Sequence, residues 1–349
     1  MPTLRKDPVS GHGVIMAEDR ANRPNQLCRV ETRVDTVVCP FCEGQEDSTT
    51  PETLAFREPS SLPNSPGWRV RVVPNKYPAL DGRTKNSTTV LPDNDPLFPT
   101  GSTTGIHEVF IECAEHLTSI SQLSDAQMVE VVCAYRDRMC TVSQNRWIRS
   151  AIIFKNLGAA AGASLEHIHS QLMATSYVPV KLCEELINAE RFLCQEKGCF
   201  FCQLVRRERE TGVRVVLDTD HFLVICPFAS RVPYEMCILP KKHASHFEKL
   251  SDSQITTLAY VLRQTEACLE NILEEPAYNL FFHTAPFDMP TLEHYHWHVE
   301  ILPRVTSTAG YEWGTGYYIN PKLPEEAARS LRAGVVAARG KNFAPGKDG

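Results

Sequence analysis

No run of apolar residues in this 349-residue chain is long enough to span a bilayer. The first thirty residues include Arg5, Lys6, Asp7, Arg20 and Arg23 and hold no apolar stretch of the kind a secretory signal needs. Both absences point to a cytoplasmic protein. Neither charge is in excess: 36 Lys and Arg stand against 42 Asp and Glu, a formal net charge of −6. That balance, with no basic stripe interleaved with aromatic residues, argues against nucleic acid as a partner. A hydrophobic content of 42% and a charged content of 22% are those of a soluble globular chain, long enough for two or three domains.

Cysteine, by contrast, is plentiful. The chain has 13, an odd number, and two pairs have CxxC spacing: Cys39 with Cys42, and Cys199 with Cys202. In a reducing compartment such pairs hold metal more often than they form disulfides. The remaining cysteines are scattered and read as small buried hydrophobes.

The order of residues repeats. Glu108–Ile111, His116 and Leu123-Ser124-Asp125-Ala126-Gln127 are matched by Glu235–Ile238, His243 and Leu250-Ser251-Asp252-Ser253-Gln254. The leucine falls seven residues after the histidine both times. Each half reads as a strand, a histidine turn and a helix capped by Ser-Asp. The helices carry apolar stripes, Met128, Val131, Val132 and Tyr135 in one and Ile255, Leu258, Ala259 and Leu262 in the other. The fold expected is a duplicated α+β domain of antiparallel strands with one long helix per half. Residues 176–197 read as the hinge between halves, residues 44–66 and 83–104 as surface loops, and 336–349 as a flexible tail.

The histidines extend the repeat. Cys39, Cys42, His116 and His167 supply two thiolates and two imidazoles, which fill a tetrahedral zinc site and leave no open position. Cys199, Cys202, His243 and His296 do the same in the second half. There His294, His296 and His298 alternate and would share one face of a strand, so His298 stands as an alternative ligand. Two structural zinc ions per chain follow from this reading.

On a strand, His167, His169 and Gln171 also share a face, beside a loop of small residues, Gly158 to Ser164. Small residues let backbone N–H groups approach a phosphate closely, and a neighbouring histidine suits attack on it.

The segment Phe154-Lys155-Asn156 through Ala161-Gly162-Ala163-Ser164 to His167-Ile168-His169-Ser170-Gln171 resembles the active-site segment of the galactose-1-phosphate uridylyltransferase family, within the histidine-triad superfamily. Leu4–Pro8, Arg20–Pro24, Cys39–Cys42, Val73–Pro78, His296–His298 and Gly310–Glu312 resemble the family as well, so the likeness spans residues 4 to about 335. It implies two tandem histidine-triad-like domains, residues 1–180 and 195–335, forming a pseudo-symmetric half-barrel. It implies ping-pong transfer, with His169 attacking the α-phosphorus of UDP-glucose and galactose 1-phosphate taking up the uridylyl group. Gln171 would donate to a phosphoryl oxygen, and Gly162, Ala163 and Ser164 would cradle the phosphates. Arg20, Arg23, Asn75 and Asn156 would contact the nucleotide. Tyr311 and Glu312 would hold the sugar phosphate, in the partner subunit of a homodimer. The resemblance also allows iron in the second metal site.

Two positions depart from the family pattern. Ile168 stands where most of these uridylyltransferases have proline between the histidines, and Thr306–Ala309 lack the lysine found shortly before the equivalent of Tyr311. A plant branch with a small residue between the histidines is an ADP-glucose phosphorylase, which uses phosphate as acceptor. That reaction, and a non-catalytic nucleotide-binding protein, are the alternatives.

Overall fold

The computed structural model describes residues 2–18, 20, 38–80, 82, 97 and 104–341. Strands β1 (Thr3–Lys6) and β2 (Gly13–Met16) open the chain, followed by β3 (Leu54–Arg57), β4 (Trp68–Pro74) and β5 (Gly105–Ile111). Helix α1 (Asp125–Ser143), β6 (Ser150–Leu157) and β7 (His169–Thr175) complete the first half. Helices α2 (Val180–Glu196) and α3 (Phe200–Thr211) lead to β8 (Val215–Asp218), β9 (Phe222–Ile225) and β10 (Met236–Pro240). Helix α4 (Asp252–Glu270), β11 (Tyr278–His283) and β12 (His298–Pro303) mirror the end of the first half. The chain then runs through α5 (Gly310–Thr315), β13 (Tyr318–Asn320) and α6 (Pro324–Lys341).

Ten strands form one sheet in the order β3-β4-β5-β7-β6-β11-β12-β10-β9-β8, and every pairing in it is antiparallel. Read outward from the β6–β11 seam, each half has the same order. The duplication in the sequence has therefore become a pseudo-twofold in an α+β sheet, with Leu157 opposite Tyr278 and Ile153 opposite Phe282 across the seam. A small sheet of β1, β2 and β13 stands beside it.

The two long helices begin where the Ser-Asp-x-Gln motifs place them. The backbone N–H of Gln127 donates to Ser124 Oγ at 3.2 Å and that of Ser124 to Gln127 Oε1 at 3.0 Å. Ser251 and Gln254 repeat this reciprocal cap in α4. Val131, Val132, Leu258 and Leu262 are buried against Ile153, Leu172, Phe282 and Val299 of the sheet. Alternation then decides which residues face the helices: Ile168, Ser170, Leu172 and Ala174 are buried there, and their odd-numbered neighbours lie on the other face.

Three segments differ from the sequence expectation. Residues 44–66 hold β3, because Leu54-Ala55-Phe56 finds an edge on β4. The stretch read as a hinge folds as α2, whose Leu182, Leu186 and Ala189 are buried. Helix α6 runs to Lys341, so residues 336–341 continue an element rather than start a tail; 342–349 lie outside the described residues, as does most of 83–104.

One polar cluster is built into the helix-facing core under β7. Lys155 Nζ donates to Glu112 Oε2 at 2.5 Å, and Tyr135 donates to Glu112 Oε1 at 2.5 Å, where Ser170 Oγ also donates. Lys155 Nζ also lies 3.4 Å from the His169 carbonyl. Burial alone would raise the Glu112 carboxyl, but the Lys155 ammonium and the two hydroxyls hold it below the ordinary carboxylate range. Replacing Lys155 by Met leaves that carboxylate buried without its cation and is expected to cost about 3–5 kcal/mol in urea unfolding. A Lys155→Met, Glu112→Leu double variant should recover most of the loss; a Lys155→Met chain as stable as the parent would contradict the assignment.

Candidate active site

The turn that leads into β7 is fixed at its backbone: the Ile168 N–H donates to the Leu117 carbonyl at 2.9 Å. The His167 Nε2–H donates to the Cys113 carbonyl at 3.0 Å, which leaves its Nδ1 lone pair 3.6 Å from both Cys39 Sγ and Cys42 Sγ. His116 Nδ1 lies 3.5 Å from Cys42 Sγ. One ligand atom from each of these four residues falls within 4.8 Å of every other. Burial pushes the His167 imidazole down to about 4, so the ring is neutral, as a ligand must be. Burial and the neighbouring Cys39 push the Cys42 thiol up to about 11; a cation at the centre would reverse that. Two sulfurs and two oriented imidazoles fit a tetrahedral soft-metal site.

The second set repeats the arrangement. The His243 Nε2–H donates to the Leu292 carbonyl at 2.8 Å, so its Nδ1 faces Cys202 Sγ at 3.4 Å. His296 Nε2 lies 3.3 Å from Cys202 Sγ and 2.9 Å from His243 Nδ1. Cys199 completes this second group of metal-ligating atoms. Burial lowers the His296 imidazole to about 3. Of the three alternating histidines only His296 joins the cysteines, because β12 begins at His298 and the preceding residues turn. His298 instead stacks on His283 with ring centroids 4.6 Å apart, and both meet Glu185 in a third group that could hold a metal ion. His283 Nδ1 is 3.2 Å from Glu185. Burial opposes protonation of His283, but the Glu185 carboxylate outweighs it and raises its pKa.

His169 opens β7 on the face away from the long helices. Its Nδ1–H donates to the His167 carbonyl at 2.8 Å, which leaves Nε2 as a lone-pair nitrogen. Burial lowers its pKa, so the ring is neutral at pH 7. Gln171 stands two residues along on the same face, with Asn75 and the β5 residue His107 gathered around its side-chain oxygen. The small-residue loop joins β6 to this strand. Gly158 and Gly162 have φ of +77° and +85°, so each end of the short turn 159–161 needs glycine's left-handed freedom. Gly162 and Ser164 are exposed and Ala163 half-buried. Asn279 pins the loop, donating to Asn156 Oδ1 at 2.7 Å and to the Ala161 carbonyl at 2.8 Å.

Other expected residues lie elsewhere. Arg20 is exposed just after β2, and Arg23 lies outside the described residues. Tyr311 and Glu312 sit on α5 next to β13; Tyr311 is exposed, and the Glu312 carboxylate accepts from the Ala309 N–H. His107, Glu185 and His283 were not among the sequence candidates. Each is isolated in the chain, with no spacing to mark it, and only strand pairing or helix docking brings it to its partners.

Two family models match the chain: galactose-1-phosphate uridyl transferase, N-terminal domain, over residues 1–179, and C-terminal domain, over residues 185–331. An ADP-glucose phosphorylase of Arabidopsis thaliana is 34% identical over 95% of this chain and 92% of its own length. A galactose-1-phosphate uridylyltransferase of Thermotoga maritima is 31% identical over 95% of this chain and 98% of its own. Among solved structures, an Arabidopsis thaliana ADP-glucose phosphorylase with bound ADP-glucose superposes with a TM-score of 0.82 at 32% identity, covering 95% of this chain and 99% of that one. A uridylyltransferase superposes with a TM-score of 0.74 at 26% identity, covering 97% and 99%.

The loop geometry generates a stability test. A Cβ on Gly158 would meet the Ala277 Cβ at 2.8 Å, whereas one on Gly162 meets nothing within 4 Å. Gly162→Ala should therefore cost only the left-handed penalty of about 1–2 kcal/mol. Gly158→Ala should cost more, since backbone must also shift. Thermal unfolding of the two variants in parallel checks the order.

Proposed function

The chain belongs to the galactose-1-phosphate uridylyltransferase family, a family of nucleotidyltransferases, and on that premise we propose that it transfers a nucleotidyl group through a covalent intermediate on His169. The observation that carries this reading is the hydrogen bond from His169 Nδ1 to the His167 carbonyl, which leaves Nε2 unprotonated on the face that also bears Gln171.

His169 Nε2 attacks the α-phosphorus of a nucleotide sugar; the bond from phosphorus to the bridging oxygen breaks, and the sugar 1-phosphate departs with that oxygen. An acceptor phosphate oxygen then attacks the same phosphorus, the P–N bond breaks, and the electron pair returns to Nε2. Splitting one displacement into two lets a single site serve donor and acceptor. The Gln171 amide donates to a phosphoryl oxygen without titrating. Backbone N–H groups of the Gly162–Ser164 loop receive the phosphates, with Arg20, Arg23, Asn75 and Asn156 on the nucleotide.

The main reading is the hexose-1-phosphate uridylyltransferase reaction, UDP-glucose with galactose 1-phosphate, which both family models and the Thermotoga maritima relative support. A second reading, ADP-glucose phosphorolysis, is favoured by the 34% identity to the Arabidopsis thaliana enzyme, while Ile168 departs from the proline of most uridylyltransferases. Exposure to UDP-glucose and ADP-glucose labelled at the α-phosphate, followed by denaturation, separates them. Label from UDP-glucose discharged by galactose 1-phosphate supports the first; label from ADP-glucose discharged by phosphate supports the second. His169→Asn should take up none. No label on the parent chain from either donor would defeat the proposal. Because burial lowers the His169 pKa, the neutral nucleophile persists below the ordinary value of about 6.5. Labelling should hold level down to that pH and fall only further into acid.

The Cys2His2 sets would hold two structural zinc ions, tying the Cys39–Cys42 turn and the α3 start to the histidine turns, with iron as the alternative occupant of the second set. Metal analysis should find two zinc ions per chain, reduced to one in Cys42→Ser and to one in Cys202→Ser. The described cysteines form no disulfide with one another, which suits the cytoplasm. The exposed Tyr311 and Trp313 of α5 suit a homodimer in which Tyr311 and Glu312 reach the partner's sugar phosphate.

A further inference from the structure

We propose that His107 is a positioning residue for the transfer: it turns the Gln171 amide so that its N–H groups, rather than its oxygen, are left for the phosphoryl group. This rests on the reading of His169 as nucleophile and adds a residue to it.

An amide side chain is a two-ended rotor. Turned one way it stabilises a phosphoryl oxygen; turned the other way its own oxygen repels one. The sequence carries nothing that selects between the two, since Gln171 has His107 as a neighbour only through the pairing of β5 with β7. In that register Val109 lies opposite Gln171 and His107 opposite Met173, all on the face that bears His169. Asn75 enters from the end of β4, its N–H donating to the His107 carbonyl at 2.8 Å.

Two backbone N–H groups then set every polarity. The Ala79 N–H donates to His107 Nδ1 at 3.1 Å, so Nδ1 carries no proton and a neutral ring holds its hydrogen on Nε2. That Nε2–H reaches Gln171 Oε1 at 2.9 Å. The Tyr77 N–H donates to Asn75 Oδ1 at 2.8 Å, which fixes the Asn75 amide with its Nδ2 toward Gln171 Oε1 at 3.4 Å; Asn75 Nδ2 and His107 Nε2, 3.1 Å apart, are then two donors that share Oε1 as their acceptor. Two N–H groups therefore converge on one end of the Gln171 amide, and that end must be oxygen. A flipped Gln171 would crowd three donors together with no acceptor among them. Both N–H groups of Gln171 are thereby directed away from His107 and Asn75. Ala79 and Tyr77 thus act on Gln171 at one remove.

The test is a double-mutant cycle read by single-turnover labelling of His169 from the α-labelled nucleotide sugar. His107→Phe keeps a ring and removes the donor. It should slow labelling at saturating donor by about 10- to 100-fold, up to the lower range seen on deleting an oxyanion donor. The half-saturating concentration should stay nearly unchanged, because the contact matters in the displacement. His107→Gln, which returns an N–H near the position of Nε2, should recover most of the rate. In a Gln171→Ala background His107→Phe should cost nothing further, whereas a general structural role would cost the same in both backgrounds. Full labelling by His107→Phe, or additive losses, would overturn the inference while leaving the nucleophile in place. An unlabelled parent chain would overturn both. Nitrogen NMR of the parent decides the polarity without turnover or variants: the Nε2–H tautomer of His107 is expected, and an Nδ1–H tautomer would overturn the inference.

Discussion

The hydrogen bond from the His169 ring to the carbonyl two residues before it is the contact on which the site depends. An imidazole can attack only through a nitrogen without a proton, and that bond decides which nitrogen this is. It holds only while the His167 carbonyl keeps its place. The His167 ring, seated among Cys39, Cys42 and His116 with its other nitrogen on the Cys113 carbonyl, keeps the turn from rotating. From beneath, Lys155 approaches the His169 carbonyl while paired to Glu112. The cysteine–histidine set above and the ion pair below clamp three residues of backbone, and neither needs to touch a substrate to matter.

The second half uses the same device for a different end. His298 occupies the place of His169 in the repeat, and its Nδ1 lies 3.2 Å from the His296 carbonyl, the same two-residue relation. Yet its ring is stacked on His283, with Glu185 from α2 closing over it. Glu300 stands where the first half has Gln171 and is tied to Arg231 at 2.6 Å. A neutral amide suits the phosphate contact proposed for Gln171; a carboxylate in its place would repel an anion. Duplication thus gave two copies of one geometry, of which the second is filled by a charged network.

The two faces of the sheet divide the labour. On the helix side, residues such as Ile168, Leu172 and Ile153 are packed against α1 and α4 and set the stiffness of the strands. On the other side the odd-numbered residues of β7 carry His169 and Gln171, and those of β5 carry His107. A one-residue slip of β7 would turn His169 toward the helices and the apolar set away from them, so the packing of the core enforces the register of the site.

Much of this was legible in the chain. The CxxC pairs, the lone histidines and the Ser-Asp-x-Gln caps are local signals, because a two-residue spacer closes a metal turn and a capping box spans three residues. The period of the repeat gave the duplication, and strand alternation placed Ile168 and His169 on opposite faces. What the sequence left open were matters of distance. Whether His296 or His298 joins the cysteines depended on where β12 begins. The hinge read at residues 176–197 became α2 because its apolar face found a core to cover. His107, Glu185 and His283 had no partners along the chain; β5 against β7, β11 against β12 and α2 docking supplied them. Short-range geometry follows from the residues between two positions, and the sequence determined that much. Which imidazole meets which amide or carboxylate is fixed by packing between distant segments, and only the tertiary structure decided it.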